Sequence, residues 1–258
     1  MMLRVIGWSS PYAGPDEAGV GYVLEDNNRH ILIECGSGVV AKYLQNYELA
    51  ELDGVIISHL HPDHFLDLLP LGFALQHAKM QGLRQGRVPV FLPPSGIETF
   101  NEMLRALGGL NCHYDQVFAY REFDDAESLE IGAWKACFHQ VYHGMNCHGV
   151  VLESTSGDSL GYTGDTKQGP NLAKIFQGID LLLCEATVSS EEHGRQTSHL
   201  TPEQAGILAT AANVDQLVLT HFLPGTDTED KRKRAACHFR GKIHVAQTGV
   251  TYHIGAND

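Results

Sequence analysis

Short apolar stretches separated by polar, glycine-containing turns run the length of the chain. Their length and their content of Val, Ile, Leu and Phe fit strands of buried or half-buried sheets. Strands are predicted at residues 3–7, 21–24, 31–34, 55–58, 88–92, 134–140, 149–153, 160–163, 181–184, 217–220 and 243–246. Helical segments fall between some of them. Ser95-Gly96-Ile97-Glu98 has the form of a capping box and opens a helix to about Leu107. Thr201-Pro202-Glu203-Gln204 is a stronger start, with Thr at the cap, Pro at the first helical position and Gln three residues after the cap. An Ala-rich run to Ala212 follows it. A helix over 71–78 with Pro70 in its first turn, and a charged helix from about Glu229 to Phe239, complete the set. Strands in meander-like groups with helices interspersed predict a mixed α+β fold of at least two layers.

Composition narrows the class. The chain has 258 residues, 43% hydrophobic and 19% charged, which is globular and large enough for a core without disulfides. Neither a linker nor a low-complexity segment is visible, so one domain over residues 1–258 is expected. No apolar run approaches the roughly 18 residues of a membrane span, so no membrane partner is expected. The start, Met-Met-Leu-Arg-Val-Ile-Gly, lacks a charged leader followed by a long apolar core, so no secretion signal is expected. The 6 cysteines form no Cys-x-x-Cys pair, and free thiols in the cytoplasm are the expected state. A net charge of -13 disfavours an overall basic grip on nucleic acid, though not a local patch. The 15 histidines nearly match the 18 lysines and arginines, which points towards a metal site without locating it.

The location comes from where strands end. Residues 54–58 run into His59, 160–164 into Asp165, 181–184 into Glu185, 216–220 into His221, and the strand from Trp134 leads to His143. Ligands from distant positions converge on such a sheet rim. The densest cluster is Ser58-His59-Leu60-His61-Pro62-Asp63-His64. His59 and His61 are two apart and point the same way in an extended segment, so they can bind one metal together. Pro62 turns the chain, and Asp63 and His64 can then face a second metal. So many donors suit two ions about 3.5–4 Å apart, each needing roughly three protein donors and a bridge between them.

His-x-His-x-Asp-His after an apolar strand resembles the signature of the metallo-β-lactamase superfamily. Further motifs follow in order: His143 in Val-Tyr-His-Gly, Asp165 in Tyr-Thr-Gly-Asp-Thr and His221 in Leu-Thr-His-Phe. Ile33-Glu34-Cys35-Gly36-Ser37-Gly38 is similar to the early Asp-x-Gly turn, with Glu34 where Asp is usual, and Asp67 stands where Gly is common. Glu185-Ala186-Thr187 and His199-Leu200-Thr201 resemble motifs of the ribonuclease Z and phosphodiesterase branch. Members of that branch commonly insert a tRNA-grasping arm between the third-motif His and the bridging Asp. Here the interval from His143 to Asp165 has room for one hairpin, so the arm is absent.

The resemblance implies a four-layer αβ/βα sandwich, two mixed β-sheets flanked by helices, with the site on one rim. It implies a hydrolase with two divalent metal ions: His59, His61 and His143 on one, Asp63, His64 and His221 on the other, Asp165 bridging. The all N/O donor set suits zinc and admits manganese or iron. The implied reaction is phosphodiester hydrolysis by a metal-bound hydroxide, with Asp63 as ligand and proton acceptor. His199, oriented by Glu185, would protonate the leaving oxygen or stabilise phosphate charge. Glu34 would fix a histidine tautomer from behind. The implied substrate is a small phosphodiester or a short nucleic acid, and homodimers are common in the branch.

Two other readings stand beside this one. A lactonase or thioesterase of the same superfamily would attack a carbonyl with the same water and have no obvious need for His199 and Glu185. A tRNA 3′-processing-like endonuclease, or a non-catalytic nucleic-acid-binding subunit, would need a grip on RNA. His30, His113, His193, His238, His244 and His253 read as surface or structural, while one of His139 and His148 could line the pocket. Lys231-Arg232-Lys233-Arg234 reads as a solvated helix face balanced by Glu229 and Asp230 rather than a phosphate patch. Specificity is expected from residues 66–120 and 223–230.

Overall fold

The computed structural model describes residues 1–189 and 198–255. The first half of the chain builds one sheet from β1 (Met2–Gly7), β2 (Gly21–Asp26), β3 (Arg29–Ile33), β4 (Leu52–Ile56), β5 (Val88–Leu92) and β6 (Phe118–Glu122). The second half builds another from β7 (Ser128–Ile131), β8 (Trp134–Gln140), β9 (His148–Ser154), β10 (Ser159–Tyr162), β11 (Leu181–Glu185), β12 (Gln216–Thr220) and β13 (Lys242–Val245). The last strand, β14 (Thr251–His253), returns to pair with β1. The sheet orders are β14-β1-β2-β3-β4-β5-β6 and β13-β12-β11-β10-β9-β8-β7. Each sheet is therefore mixed. The run β3 to β6 is parallel in the first and β10 to β13 in the second, with antiparallel meanders beyond.

Three apolar layers hold four structural ones together. Leu3, Tyr22, Ile33, Trp134, Phe138, Tyr162 and Leu183 meet between the sheets. Val55, Val90 and Leu92 turn the other way, against α1 (Val39–Tyr43), α3 (Leu68–Met80) and α4 (Gly96–Ala106), with α2 (Pro62–Phe65) and α5 (Asn111–Tyr114) at the ends of this layer. Leu182, Leu217 and Leu219 face α6 (Leu172–Ile175), α7 (Pro202–Ala211) and α8 (Thr228–Ala236). The central strands are covered on both faces and so read as continuous apolar runs. This is the αβ/βα sandwich that the motifs imply. Near the site, the Tyr22 hydroxyl and Thr220 Oγ1 meet at 2.6 Å and tie the two sheets together.

The elements differ from the sequence expectation in informative places. β6, β7 and β14 are absent from the predicted strands, and all three are sheet edges. An edge strand keeps one side in solvent and carries polar residues, as in Phe118-Ala119-Tyr120-Arg121-Glu122, so its apolar pattern is weak. The helix expected after Ser95 forms, but not through a capping box. Ser95 takes a left-handed φ of 65° and its side chain caps nothing. The Glu122 carboxylate at the end of β6 instead accepts the Ile97 N–H at 2.9 Å. The box at Thr201 forms in full, with Thr201 Oγ1 and Gln204 Oε1 each accepting the other's backbone N–H.

One turn behind the rim admits no side chain. A Cβ on Gly36 would lie 1.9 Å from the Asp63 carbonyl oxygen and 2.8 Å from the Val20 nitrogen, both backbone atoms. Gly36→Ala is therefore expected to push back the backbone that presents Asp63. It should cost about 3 kcal/mol of stability and weaken metal retention, read as a lowered Tm together with metal content after dialysis.

Candidate metal centre

Asp165, His59 and His221 follow the carboxyl ends of parallel strands and Glu185 is the last residue of one, at the rim where ligands gather in mixed α/β sheets. Local backbone turns aim them. β4 stops at Ile56, and the extended segment beyond it carries His59 and His61. Pro62 starts α2 and places Asp63 and His64 in its single turn. Gly164, with φ 58°, turns Asp165 inward past β10. His221 itself adopts a left-handed φ of 65°, an uncommon conformation for a non-glycine residue.

Two groups of donors result. His61 Nδ1 lies 2.9 Å from His59 Nε2 and 3.2 Å from His143 Nε2. His64 Nε2 lies 3.1 Å from His221 Nε2, with Asp63 Oδ2 at 3.6 and 3.7 Å from these two nitrogens. Asp165 stands between the groups. Its Oδ2 is 3.5 Å from His59 Nε2 and 3.9 Å from His143 Nε2 on one side, and 3.5 Å from His64 Nε2 on the other. Its Oδ1 is 3.0 Å from His221 Nε2. All seven residues expected as ligands are thus brought together.

The outer ring nitrogens show which ring atoms face inward. His143 Nδ1 donates to the Ser198 carbonyl at 3.1 Å, which turns Nε2 towards the cluster. The Thr187 hydroxyl donates to Glu185 Oε2 at 2.7 Å, so it accepts from His221 Nδ1 at 2.6 Å and again turns Nε2 inward. His64 Nδ1 faces Glu34 Oε1 at 3.2 Å, and His59 Nδ1 meets Ser58 Oγ at 2.9 Å. Ring nitrogens therefore face one another across 2.9–3.2 Å. Nitrogens bound tetrahedrally to one zinc at 2.0–2.1 Å sit about 3.3–3.4 Å apart, a little further than these. Asp165 Oδ1, buried, also finds no hydrogen-bond donor. The His/Asp residues are positioned to bind metal ions.

The protonation pattern agrees. Burial pushes the pKa of His59, His61 and His221 down, so these rings favour the neutral, ligand form. At His64 burial works the same way, but the Asp165 and Glu34 carboxylates outweigh it and push the pKa up. At Asp165 burial opposes the charge, and the surrounding rings of His221, His64 and His59 hold the carboxyl well below its usual range.

His199 and Glu185 form a pair on the rim. His199 Nδ1 donates to Glu185 Oε1 at 2.9 Å and lies 4.0 Å from Asp165 Oδ2. Burial would lower its pKa, but the Glu185 hydrogen bond and charge, with Asp165 behind, raise it to about 9. Glu185 is fully engaged, accepting also from Thr166 N–H at 2.7 Å and from the Thr187 hydroxyl. Glu34 is 0% exposed with φ 62°, and its Oε2 accepts the Ser58 N–H at 3.1 Å.

Sequence reasoning missed three participants. Ser10 Oγ donates to Asp63 Oδ2 at 2.8 Å, from a loop with no motif. Thr187 was visible only as the last letter of Glu-Ala-Thr, without its part in orienting His221. The Ser198 carbonyl carries no side-chain signal. Asp67, out of pattern for its position, accepts the Val40 N–H at 3.0 Å and so secures the start of α1. His148 is buried against Phe123, whereas His139 lines a cavity of about 610 Å³ with Asp125, Tyr142, His143 and Lys167. That cavity borders the site but lies outside both intervals expected to set specificity. A second recess of about 250 Å³, lined by Leu60, Pro93, Pro94 and Met145 with Ser95, Thr99 and Asn146, does use one of them. The basic run on α8 is not a uniformly solvated face. Arg232 pairs with Glu229, but Lys231 is buried, because its ammonium is taken up by backbone carbonyls. His193 lies outside the described residues.

Comparison with known proteins gives the same assignment. A family model described as beta-lactamase superfamily domain matches residues 29–222. The chain is 27% identical over 253 residues to a probable metallo-hydrolase, YhfI of Bacillus subtilis, covering 98% of this chain and 99% of that one. The crystal structure of YhfI, a metallo-beta-lactamase fold protein, superposes with a TM-score of 0.90 at 26% identity over 98% of this chain and 99% of that one. Ribonuclease Z of Methanopyrus kandleri is 24% identical, with 98% of both chains covered. A diphosphatase of the PhnP family shares the fold at a TM-score of 0.78 and 16% identity, over 98% of this chain and 97% of that one. With its matched domain, its sandwich and its converging histidines and aspartates, the chain belongs to the metallo-β-lactamase superfamily, with ribonuclease Z proteins among its relatives.

Proposed function

We propose that the protein, as a single hydrolase domain over residues 1–258, is a binuclear metal-dependent phosphodiesterase. Zinc is the proposed metal, with manganese or iron accepted by the same donors. His59, His61 and His143 would hold one ion, Asp63, His64 and His221 the other, and Asp165 would bridge. When bound, the ions lower the pKa of water towards neutrality and offset the charge of a phosphoryl group.

The observation that carries the phosphodiester reading is the His199–Glu185 pair beside Asp165. A phosphodiester is an anion that repels a negative nucleophile, and its alkoxide leaving group needs a proton. With Nδ1 committed to Glu185, His199 presents Nε2 to substrate, where it donates to the leaving oxygen or to a phosphoryl oxygen. Asp63 takes the proton from the attacking water, and its Oδ2 is steadied by Ser10. Thr187 and Glu34 keep His221 and His64 in the tautomers that ligation needs. The named activities of ribonuclease Z and of the PhnP-family diphosphatase, both cleavages at phosphorus, support the same class.

Elemental analysis is expected to find about two metals per chain. Chelation is expected to abolish hydrolysis of bis(p-nitrophenyl) phosphate, and added zinc or manganese to restore it. Two metals with cleavage of lactones alone would shift the assignment to carbonyl hydrolysis.

His61→Ala is expected to lose metal and activity together. His199→Ala should keep its metal and lose about 10²- to 10³-fold in kcat on a phosphodiester with an alkoxide leaving group, and full activity of that variant on such a substrate would remove the proton-donor role.

A further inference from the structure

The basic run on α8 contains one residue that neither the surface nor the reaction above explains. Lys231 is 4% exposed. Its Nζ donates to three successive carbonyls, those of Ala186 at 3.0 Å, Thr187 at 3.0 Å and Val188 at 3.1 Å. It also stands 5.6 Å above the ring of Phe222, the residue after His221. An ammonium is costly to bury. Burial first, and the nearby charge of Arg234 next, lower its pKa to about 8. Three carbonyls aimed at one point carry converging negative dipoles, and without the cation they would be left as buried acceptors that repel one another.

The platform that holds Lys231 is rigid. Arg234 forks onto Glu203 of α7 at 2.6 and 2.8 Å, and a Cβ on Gly206 would lie 2.5 Å from the Ala235 carbonyl oxygen. α7 and α8 are thus packed backbone to backbone. The Asp227 side chain caps the start of α8. The segment that Lys231 grips begins one residue after Glu185 and has Thr187 at its centre. Its far end is tied towards His199, since the Val188 N–H donates to the Leu200 carbonyl at 3.0 Å.

We propose that Lys231 is a positioning residue for the metal centre. Its ammonium fixes the curl of the 186–188 backbone, which holds the Thr187 hydroxyl between Glu185 and His221 Nδ1. One buried charge thereby sets the His221 tautomer and the direction of the Glu185 carboxylate that orients His199. This role rests on the reading of His221 as a ligand and His199 as a donor.

The test is a cycle in the full chain with Lys231→Met, Thr187→Val and the two combined. Each single variant is expected to lower kcat by about 10- to 100-fold with KM held within about twofold. The double variant should fall no further than the lower single one, because both break the same link. Unchanged kcat in Lys231→Met, or losses that multiply in the double variant, would overturn the proposal.

A second readout needs no turnover. Long-range proton–nitrogen NMR of the histidine rings, assigned with His221→Asn, is expected to show His221 protonated at Nδ1 in the native chain. Both single variants should lose that defined tautomer, and an unchanged His221 signal in Lys231→Met would refute the link. Should Lys231→Met fail to fold, Lys231→Gln keeps two N–H donors and is expected to give intermediate values in both readouts. If the native chain cleaves a lactone but no phosphodiester, the phosphodiester reading fails while the cycle is run on the lactone. The NMR result decides the role of Lys231 in either case.

Discussion

The carboxylate of Asp165 is 2% exposed, and histidines 59, 64, 143, 199 and 221 all bring a ring nitrogen within 4.0 Å of it. A buried carboxylate is costly unless positive charge meets it. Four of those five rings also meet a group at their outer nitrogen: the Glu34 carboxylate faces His64, the Thr187 hydroxyl meets His221, the Ser198 carbonyl meets His143 and the Ser58 hydroxyl meets His59. Carboxylates and ring nitrogens thus converge on one buried point, positioned to bind metal ions.

The fold supplies the rigidity that this centre demands. Donors arrive from the ends of β4 in one sheet and of β10 and β12 in the other, so the gap between sheets must be constant to a fraction of an ångström. The packed layer of Trp134, Tyr22, Tyr162 and Phe138 fills that gap, and the Tyr22–Thr220 hydrogen bond closes it one residue below His221. Close backbone contacts at Gly36 and Gly206 serve the same end. Left-handed backbone at Glu34 and His221 is the local consequence: the chain bends sharply there because the site, not the strand, dictates where each side chain points.

Much of this was legible in the sequence because the converging donors are side chains in fixed order after apolar runs. His59, His61, Asp63 and His64 announce themselves as a cluster, and the distant His143, Asp165 and His221 follow from motif order. The central strands were legible for a related reason, being buried on both faces. What escaped was of two kinds. Edge strands β6, β7 and β14 carry half-polar patterns that local periodicity does not separate from loops. Contacts such as Ser10 to Asp63, or Lys231 to three carbonyls, depend on tertiary proximity and leave no trace in spacing. The charged run on α8 illustrates the limit: its four cations look alike in sequence, yet their surroundings divide them between solvent, ion pairs and a buried backbone grip.

The surroundings of the centre bear on which phosphodiester the proposed reaction would accept. The hairpin of β9 and β10 fills the interval where an RNA-grasping arm would be inserted. The chain carries a net charge of -13, so a polyanion meets repulsion along its whole length, while a single ester feels it once and is screened within about 8 Å at physiological salt. A substrate without a remote grip must draw its binding energy from groups beside the reacting bond. Two recesses are placed to supply it. One is polar, with Tyr142, His139, Asp125 and Lys167 adjoining His143; the other is apolar, with Leu60 set between two ligand histidines and Met145 close behind the third. For the proposed reaction, such unlike linings would suit an ester whose two substituents differ, and the orientation of that ester would decide which oxygen leaves beside His199.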